Sequence, residues 1–109
     1  MSIELALDVT VRDDVHFELG VTNAGLDPVE LTFPDACAAD FAVRADGSER
    51  WRFSEGQMFA QVLRTETLEP GEEATFSATW EEPDPGEYTA VATLRLMDRP
   101  RELTEPFAV

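Results

Sequence analysis

An antiparallel β-sandwich or barrel is the fold class this sequence predicts, on two observations. Turn signals recur roughly every 9 to 15 residues: Asp13-Asp14, Asn23-Ala24-Gly25, Pro34-Asp35, Asp46-Gly47-Ser48, Ser54-Glu55-Gly56, Glu69-Pro70-Gly71, Pro83-Asp84-Pro85-Gly86 and Asp98-Arg99-Pro100. Between them, apolar and polar residues mostly alternate with period two, the spacing of a strand with one buried face. The chain has 109 residues, 43% of them hydrophobic, which is one domain with one core.

The opening strand carries Ile3, Leu5, Leu7, Val9 and Val11 on one face and Glu4, Asp8 and Thr10 on the other. The next carries Val15, Phe17, Leu19 and Val21 against His16, Glu18 and Thr22. A three-residue loop, Arg12-Asp13-Asp14, sets Val11 opposite Val15, Val9 opposite Phe17 and Leu7 opposite Leu19, so both apolar sets share a face. A loop with an even residue count would put them on opposite faces.

Short strands follow over residues 29–33 and 40–45. Ala74, Phe76, Ala78 and Trp80 alternate with Thr75, Ser77 and Thr79; Tyr88, Ala90, Ala92, Leu94 and Leu96 alternate with Thr89, Val91, Thr93 and Arg95; residues 102–109 close the chain. β-Branched and aromatic side chains in these runs suit a pleated surface. Residues 55–68 are the least regular stretch, and 56–63 read as a short helical turn or a bulged strand. Arg12, Glu18 and Arg95 are expected to guard exposed sheet edges.

The charge is extreme: 23 acidic residues against 8 basic ones, all arginine, for a net −15. Self-repulsion of this size opposes compaction in dilute buffer, and about 1 M salt, with a Debye length of about 3 Å, screens most of it. Carboxylates hold water in competition with salt, and arginine pairs with them better than lysine does. These features point to the cytoplasm of an extreme halophile, with an acidic mesophilic protein or an acidic face for a basic partner as alternatives. So negative a surface repels phosphate backbones, which argues against nucleic acid as a partner. No apolar run approaches the ~20 residues that cross a bilayer, and the first residues lack a basic, then apolar, leader. The expectation is a cytoplasmic protein that binds no membrane.

Cys37 is alone, so no intrachain disulfide supports the fold. Neither Cys37, in the small-residue loop Ala36-Cys37-Ala38-Ala39, nor His16, on a polar strand face, reads as a catalytic group, because nothing in the sequence brings them together. One Cys and one His do not make a zinc site. Asp8 with Asp13-Asp14, or Asp35 with Asp40, are conceivable carboxylate pairs for calcium, but so many acids produce such pairs by chance, and no calcium-loop motif is present. The expectation is a non-enzyme without metal or cofactor.

One segment stands out. Trp51, Phe53, Met58 and Phe59 surround a polar tip in a chain with ten aromatic residues. It reads either as a core hairpin whose rings plug one end of the sandwich, or as a presented loop that docks in a partner.

The same segment carries a resemblance. Trp51-Arg52-Phe53-Ser54, then Met58-Phe59 and Gln61, then Thr67-Leu68-Glu69-Pro70-Gly71-Glu72, resembles the BsuPI family of intracellular proteinase inhibitors. Leu31-Thr32-Phe33 leading through Cys37 to Asp40-Phe41, the run from Phe76 to Trp80, and Pro85-Gly86-Glu87-Tyr88-Thr89 are similar to its flanking segments. The resemblance extends over nearly the whole chain. It implies an immunoglobulin-like β-sandwich, here of about seven to nine strands, that inhibits intracellular subtilisin-like serine proteases. A rigid loop that pairs with the enzyme's strand edge and seats one side chain in its pocket is the mechanism such a fold allows. Subtilisin-like enzymes accept large apolar residues, which makes Met58 or Phe59 the pocket residue and Trp51, Phe53, Ser54, Met58 and Phe59 the partner-binding set. The chain is expected to be a monomer or weak dimer. The alternative is a non-inhibitory immunoglobulin-like module or assembly subunit; an enzyme or small-ligand binder would need a deep polar pocket around His16 or Cys37.

Overall fold

The alternation that opens the chain folds as the hairpin β1 (Ile3–Val11) and β2 (Val15–Asn23) in a computed structural model that describes residues 2–109. Val11 lies opposite Val15, Val9 opposite Phe17 and Leu7 opposite Leu19, the register an odd loop requires. The Arg12 amide donates to the Asp14 carbonyl at 2.9 Å and closes the turn. The other side of β2 pairs with β7 (Glu73–Trp80), placing Val15 against Trp80 and Leu19 against Phe76. β2 is therefore central, and its inward residues Val15, Phe17, Leu19 and Val21 are buried, whereas Ile3, Leu5, Leu7 and Val9 of the outer strand β1 are only partly covered.

A four-stranded sheet forms the facing layer, in the order β5 (Ser48–Arg52), β4 (Ala39–Ala45), β8 (Glu87–Leu94), β9 (Arg101–Ala108). β3 (Val29–Phe33) and β6 (Arg64–Leu68) pair as a ribbon, for nine strands in three antiparallel sheets and no helix among the described residues. This is an all-β architecture of the immunoglobulin-like sandwich type. Aromatic rings join the layers: Phe17 of β2 stacks on Trp51 of β5 at 5.7 Å and on Phe41 of β4 at 6.1 Å, and meets Phe107 of β9 edge-on at 5.9 Å.

Two features that position the loop region were not apparent from periodicity. Residues 48–52 form a strand although their pattern is polar, because Asp46-Gly47 make a two-residue turn that sets Ala45 opposite Ser48. Both turn residues have positive φ, 53° and 78°, the backbone an Asp-Gly hairpin turn favours. The ribbon from β2 to β3 and from β6 to β7 bends at Asn23, whose amide donates to the Glu72 carbonyl while its own carbonyl accepts from Gly71. Its side chain donates to the carbonyls of Asp27 and Leu68 at 2.8 and 2.9 Å and accepts from Gly25 at 2.9 Å.

The expected edge guards are corrected. Glu18 lies in the central strand β2, Arg12 in the hairpin loop, and Arg95 just beyond the central strand β8, where it pairs with Asp35. A guard must sit on an outer strand, and strand order is a tertiary property. On the outer strand β9, Pro106 removes one amide from the edge.

Candidate functional site

Residues 53–63 connect β5 to β6, and their stem is part of the core. Trp51 stacks on Phe17 at 5.7 Å and on Trp80 at 6.4 Å. Phe53 meets Phe41 edge-on at 6.2 Å, and its amide donates to the Phe41 carbonyl at 2.8 Å, continuing the β4–β5 pairing past the end of the strand. These two rings, partly buried, anchor the segment to the core.

Asp40 ties the next residues down. It sits on β4, a strand buried from Ala39 to Val43, and is itself only 7% exposed. Oδ1 accepts from the amides of Phe41 at 2.9 Å and Ser54 at 3.1 Å; Oδ2 accepts from the Ser54 hydroxyl at 2.6 Å and from Arg52 Nη1 at 2.8 Å. Burial by itself raises the Asp40 carboxyl, but hydrogen bonds from Ser54, Arg52 and the two amides outweigh it and hold the group below the usual carboxylate range. Glu49 takes the other side of Arg52 at 2.6 Å, and Glu49 and Asp40 together raise its pKa.

A depressed folded-state pKa contributes stability that is complete above the unfolded value, near pH 4, and disappears as pH falls through the folded value. The melting temperature of wild type is therefore expected to exceed that of Asp40→Asn by an amount that is constant above about pH 5 and shrinks below about pH 4. Thermal melts of both proteins from pH 6 to pH 2.5 check this, and a gap that does not change with pH would show that the ionised form adds nothing.

A second acid–arginine pair holds the neighbouring loop. Arg95 Nη1 donates to Asp35 Oδ1 at 2.6 Å and to the Cys37 carbonyl at 2.9 Å, while the Arg95 amide donates to the Ala38 carbonyl at 2.8 Å. The hydrogen bond from Arg95, with one from the Cys37 amide, keeps the Asp35 carboxyl low. The loop so fixed presents the Ala36 amide to the Ala60 carbonyl at 3.0 Å. A cleft of about 220 Å³ lies between the two pairs, lined by Asp35, Cys37, Asp40, Ser54, Phe59 and Arg95. Burial, reinforced by the Asp40 charge, pushes the Cys37 thiol up, and it donates weakly to the Ala39 carbonyl at 3.4 Å; a neutral buried thiol is a poor nucleophile.

The tip turns at Ser54, whose carbonyl accepts from the Gln57 amide at 3.2 Å, with Gly56 in the left-handed region at φ 76°. Neither the helical turn nor the bulged strand expected for residues 56–63 forms: Gly56 interrupts any helix, and Ala60 to Ala36 is a single bond rather than a ladder. Met58 is 99% exposed, followed by Val62 at 64% and Leu63 at 57%. Phe59 turns inward and rests on Phe53 at 6.3 Å. Residues 56–63 contain no charge, a gap in an otherwise acidic surface.

Of the expected partner-binding residues, Trp51, Phe53 and Phe59 thus face the body, Ser54 joins the Asp40 cluster, and Met58 alone projects into solvent. Asp40, Arg52, Val62 and Leu63 were missed. Asp40 had a signal: an acid inside the apolar run from Ala36 to Val43 demands a partner. The supposed calcium pair Asp35 and Asp40 is divided between two arginines, and no three potential metal ligands cluster among the described residues. His16 shares a hydrogen bond with the Thr79 hydroxyl at 3.2 Å on the outer face and lines a different cleft from Cys37.

No curated protein matches the sequence significantly. A β-glucosidase from Erythrobacter marinus is similar in structure, with 14% identity and a TM-score of 0.50 over 96% of this chain and 15% of its own length. A β-glucosidase from Kluyveromyces marxianus reaches a TM-score of 0.48 at 17% identity over 98% of this chain. The chain spans about 15% of the length of either enzyme, and the first likeness concerns the fold alone. The model of the BsuPI intracellular proteinase inhibitors matches residues 3–99, from β1 through β8 with the whole loop, and the chain belongs to that family.

Proposed function

We propose that this protein inhibits a subtilisin-like serine protease by docking the loop of residues 54–63, with Met58 in the enzyme's specificity pocket. The observation that carries the reading is the combination of a fully exposed Met58 with a stem held by Asp40 and the core aromatics. An inhibitor must present its bait already ordered, since ordering a loose loop on binding weakens affinity. Met58 supplies an unbranched apolar side chain that fits a large apolar pocket, and Val62 and Leu63 extend the apolar contact. The uncharged tip lets an enzyme approach without meeting the repulsion that the rest of the surface exerts.

Wild type is expected to inhibit an intracellular subtilisin in high salt, and Met58→Asp to bind about 100-fold more weakly or worse, because a carboxylate in an apolar pocket lacks a partner. Phe59→Asp is expected to weaken inhibition as well, through loss of its packing on Phe53. Inhibition by folded Met58→Asp equal to wild type would exclude this loop. Failure of wild type to slow any such protease would leave a binding module without inhibitory action.

The acidic, lysine-free surface supports a place for the protein in a halophile's cytoplasm, as a monomer or weak dimer. Its melting temperature is expected to rise steadily from dilute buffer to multimolar KCl as the net −15 is screened. Melting curves that coincide across that range would remove the halophilic reading.

A further inference from the structure

We propose that Asp40 is the positioning residue of the loop: it holds the chain on the amino side of Met58, while Ala36 holds the carboxyl side, so that a bound protease grips the Met58–Phe59 bond but cleaves it slowly. The inference rests on the inhibitor reading for its inhibitory consequence, but not for the loop's rigidity.

All four acceptor positions of the Asp40 carboxylate are used, and three of the four donors belong to Arg52 and Ser54 at the root of the loop. The carboxylate thereby bonds that root to β4, whose run from Ala39 to Val43 is buried. Arg52 cannot swing away, since Glu49 grips its other side. From Ser54 the constraint passes to the tip through the Gln57 amide on the Ser54 carbonyl and through Gln57 Nε2 on the Phe53 carbonyl at 2.5 Å. Met58 follows directly. Beyond it, Phe59 rests on Phe53, and Ala60 is bonded to Ala36 in the segment that Arg95 fixes.

The target bond is therefore bracketed at close range on both sides. Hydrolysis adds the hydroxyl of a water to the Met58 carbonyl carbon, breaks the bond to the Phe59 nitrogen and delivers the proton there. The enzyme is freed only when the two new ends separate. Here both ends stay attached to the same folded body, which opposes their departure. Without Asp40 the amino-side end is loose, and the loop behaves as an ordinary substrate.

The test compares wild type, Asp40→Asn, Ser54→Ala and Asn23→Ala, each with subtilisin in high KCl below its melting temperature, with cleavage sites read by mass spectrometry and inhibition followed in parallel. Asn23→Ala serves as the general-destabilisation control, since Asn23 bonds within the β2–β3 bend, to the β6–β7 connection and to Leu68 at the far end of β6, and to none of residues 53–63. Asp40→Asn is expected to be cut within residues 55–63 at least tenfold faster than wild type, with inhibition lost mainly through faster dissociation. Ser54→Ala is expected to fall between the two, and it carries the test should Asp40→Asn not fold. Asn23→Ala is expected to show no faster cleavage at this segment. Equal cleavage of Asp40→Asn, or of Ser54→Ala in its place, and wild type overturns the assignment, and so does cleavage of Asn23→Ala at that site as fast as the Asp40 variant. If wild type fails to inhibit while Asp40→Asn is still cut faster, Asp40 remains the positioning residue and the inhibitor reading falls.

Discussion

Phe17→Ala is expected to destabilise the domain by about 4 kcal/mol and to lower its melting temperature by roughly 15 °C in the same salt. The ring is completely buried and packs against one aromatic residue on each of β4, β5 and β9, so it bridges the two layers. Removing it deletes the burial of a large apolar surface and leaves a cavity that Phe41, Trp51 and Phe107 are too large and too constrained to fill. For a domain whose whole stability is on the order of 5–15 kcal/mol, the loss brings it near unfolding. Circular dichroism melts of both proteins in multimolar KCl measure the change. A drop of only about 3 °C would mean that the layers are held mainly elsewhere and that Phe17 is not a principal bridge between them.

The second large effect is expected at a polar residue. Asn23→Ala is expected to cost about 3 kcal/mol, because it strands the buried carbonyl of Leu68 and removes the bonds to the Asp27 carbonyl and the Gly25 amide that hold the bend. Asn23 is 1% exposed, and its side chain and backbone between them satisfy five groups at the bend that turns β2 into β3 and β6 into β7. Asn23→Asp is expected to be worse than Asn23→Ala, since a carboxylate oxygen would then face two carbonyl oxygens and donate to neither. Equilibrium unfolding in denaturant orders the three proteins; an Asp variant as stable as wild type would show that the side-chain amide is not needed as a donor.

How much of the molecule was legible follows from what enforces each part. The β1–β2 register was readable because a period of two leaves no freedom: with both apolar sets bound to one face, only an odd loop works, and Arg12-Asp13-Asp14 is one. The strands at 29–33 and 73–80 declared themselves for the same reason. β5 and β6 did not. Ser-Glu-Arg-Trp-Arg has a polar pattern and is a strand because the Asp46-Gly47 turn folds it back on β4; Arg-Thr-Glu-Thr-Leu is one because β3 lies beside it, and a partner distant in sequence leaves no local signature.

The loop divides along the same line. Its aromatic and apolar composition marked residues 51–59 as unusual, but Met58 and Phe59 are adjacent and similar in hydropathy. That Met58 points out and Phe59 in is decided by the position of the Phe53 ring and by the bond from Ala36 to Ala60. Asp40 lies twelve residues or more from the groups it holds at the root of the loop, and Arg95 sixty from Asp35, so neither pairing has a spacing to read.

What the amino-acid order alone determined is the all-β class, the first hairpin with its register, the acidic charge balance, and the family to which the central motif belongs. These rest on local alternation, turn chemistry and composition, which act between near neighbours in the chain. Strand order, the aromatic bridge centred on Phe17, the Asn23 bend and the carboxylate that holds the loop were decided only by the tertiary structure. Each of them depends on side chains remote in sequence meeting in a place where water is excluded, and there an unpaired polar atom or an empty space is too costly to leave.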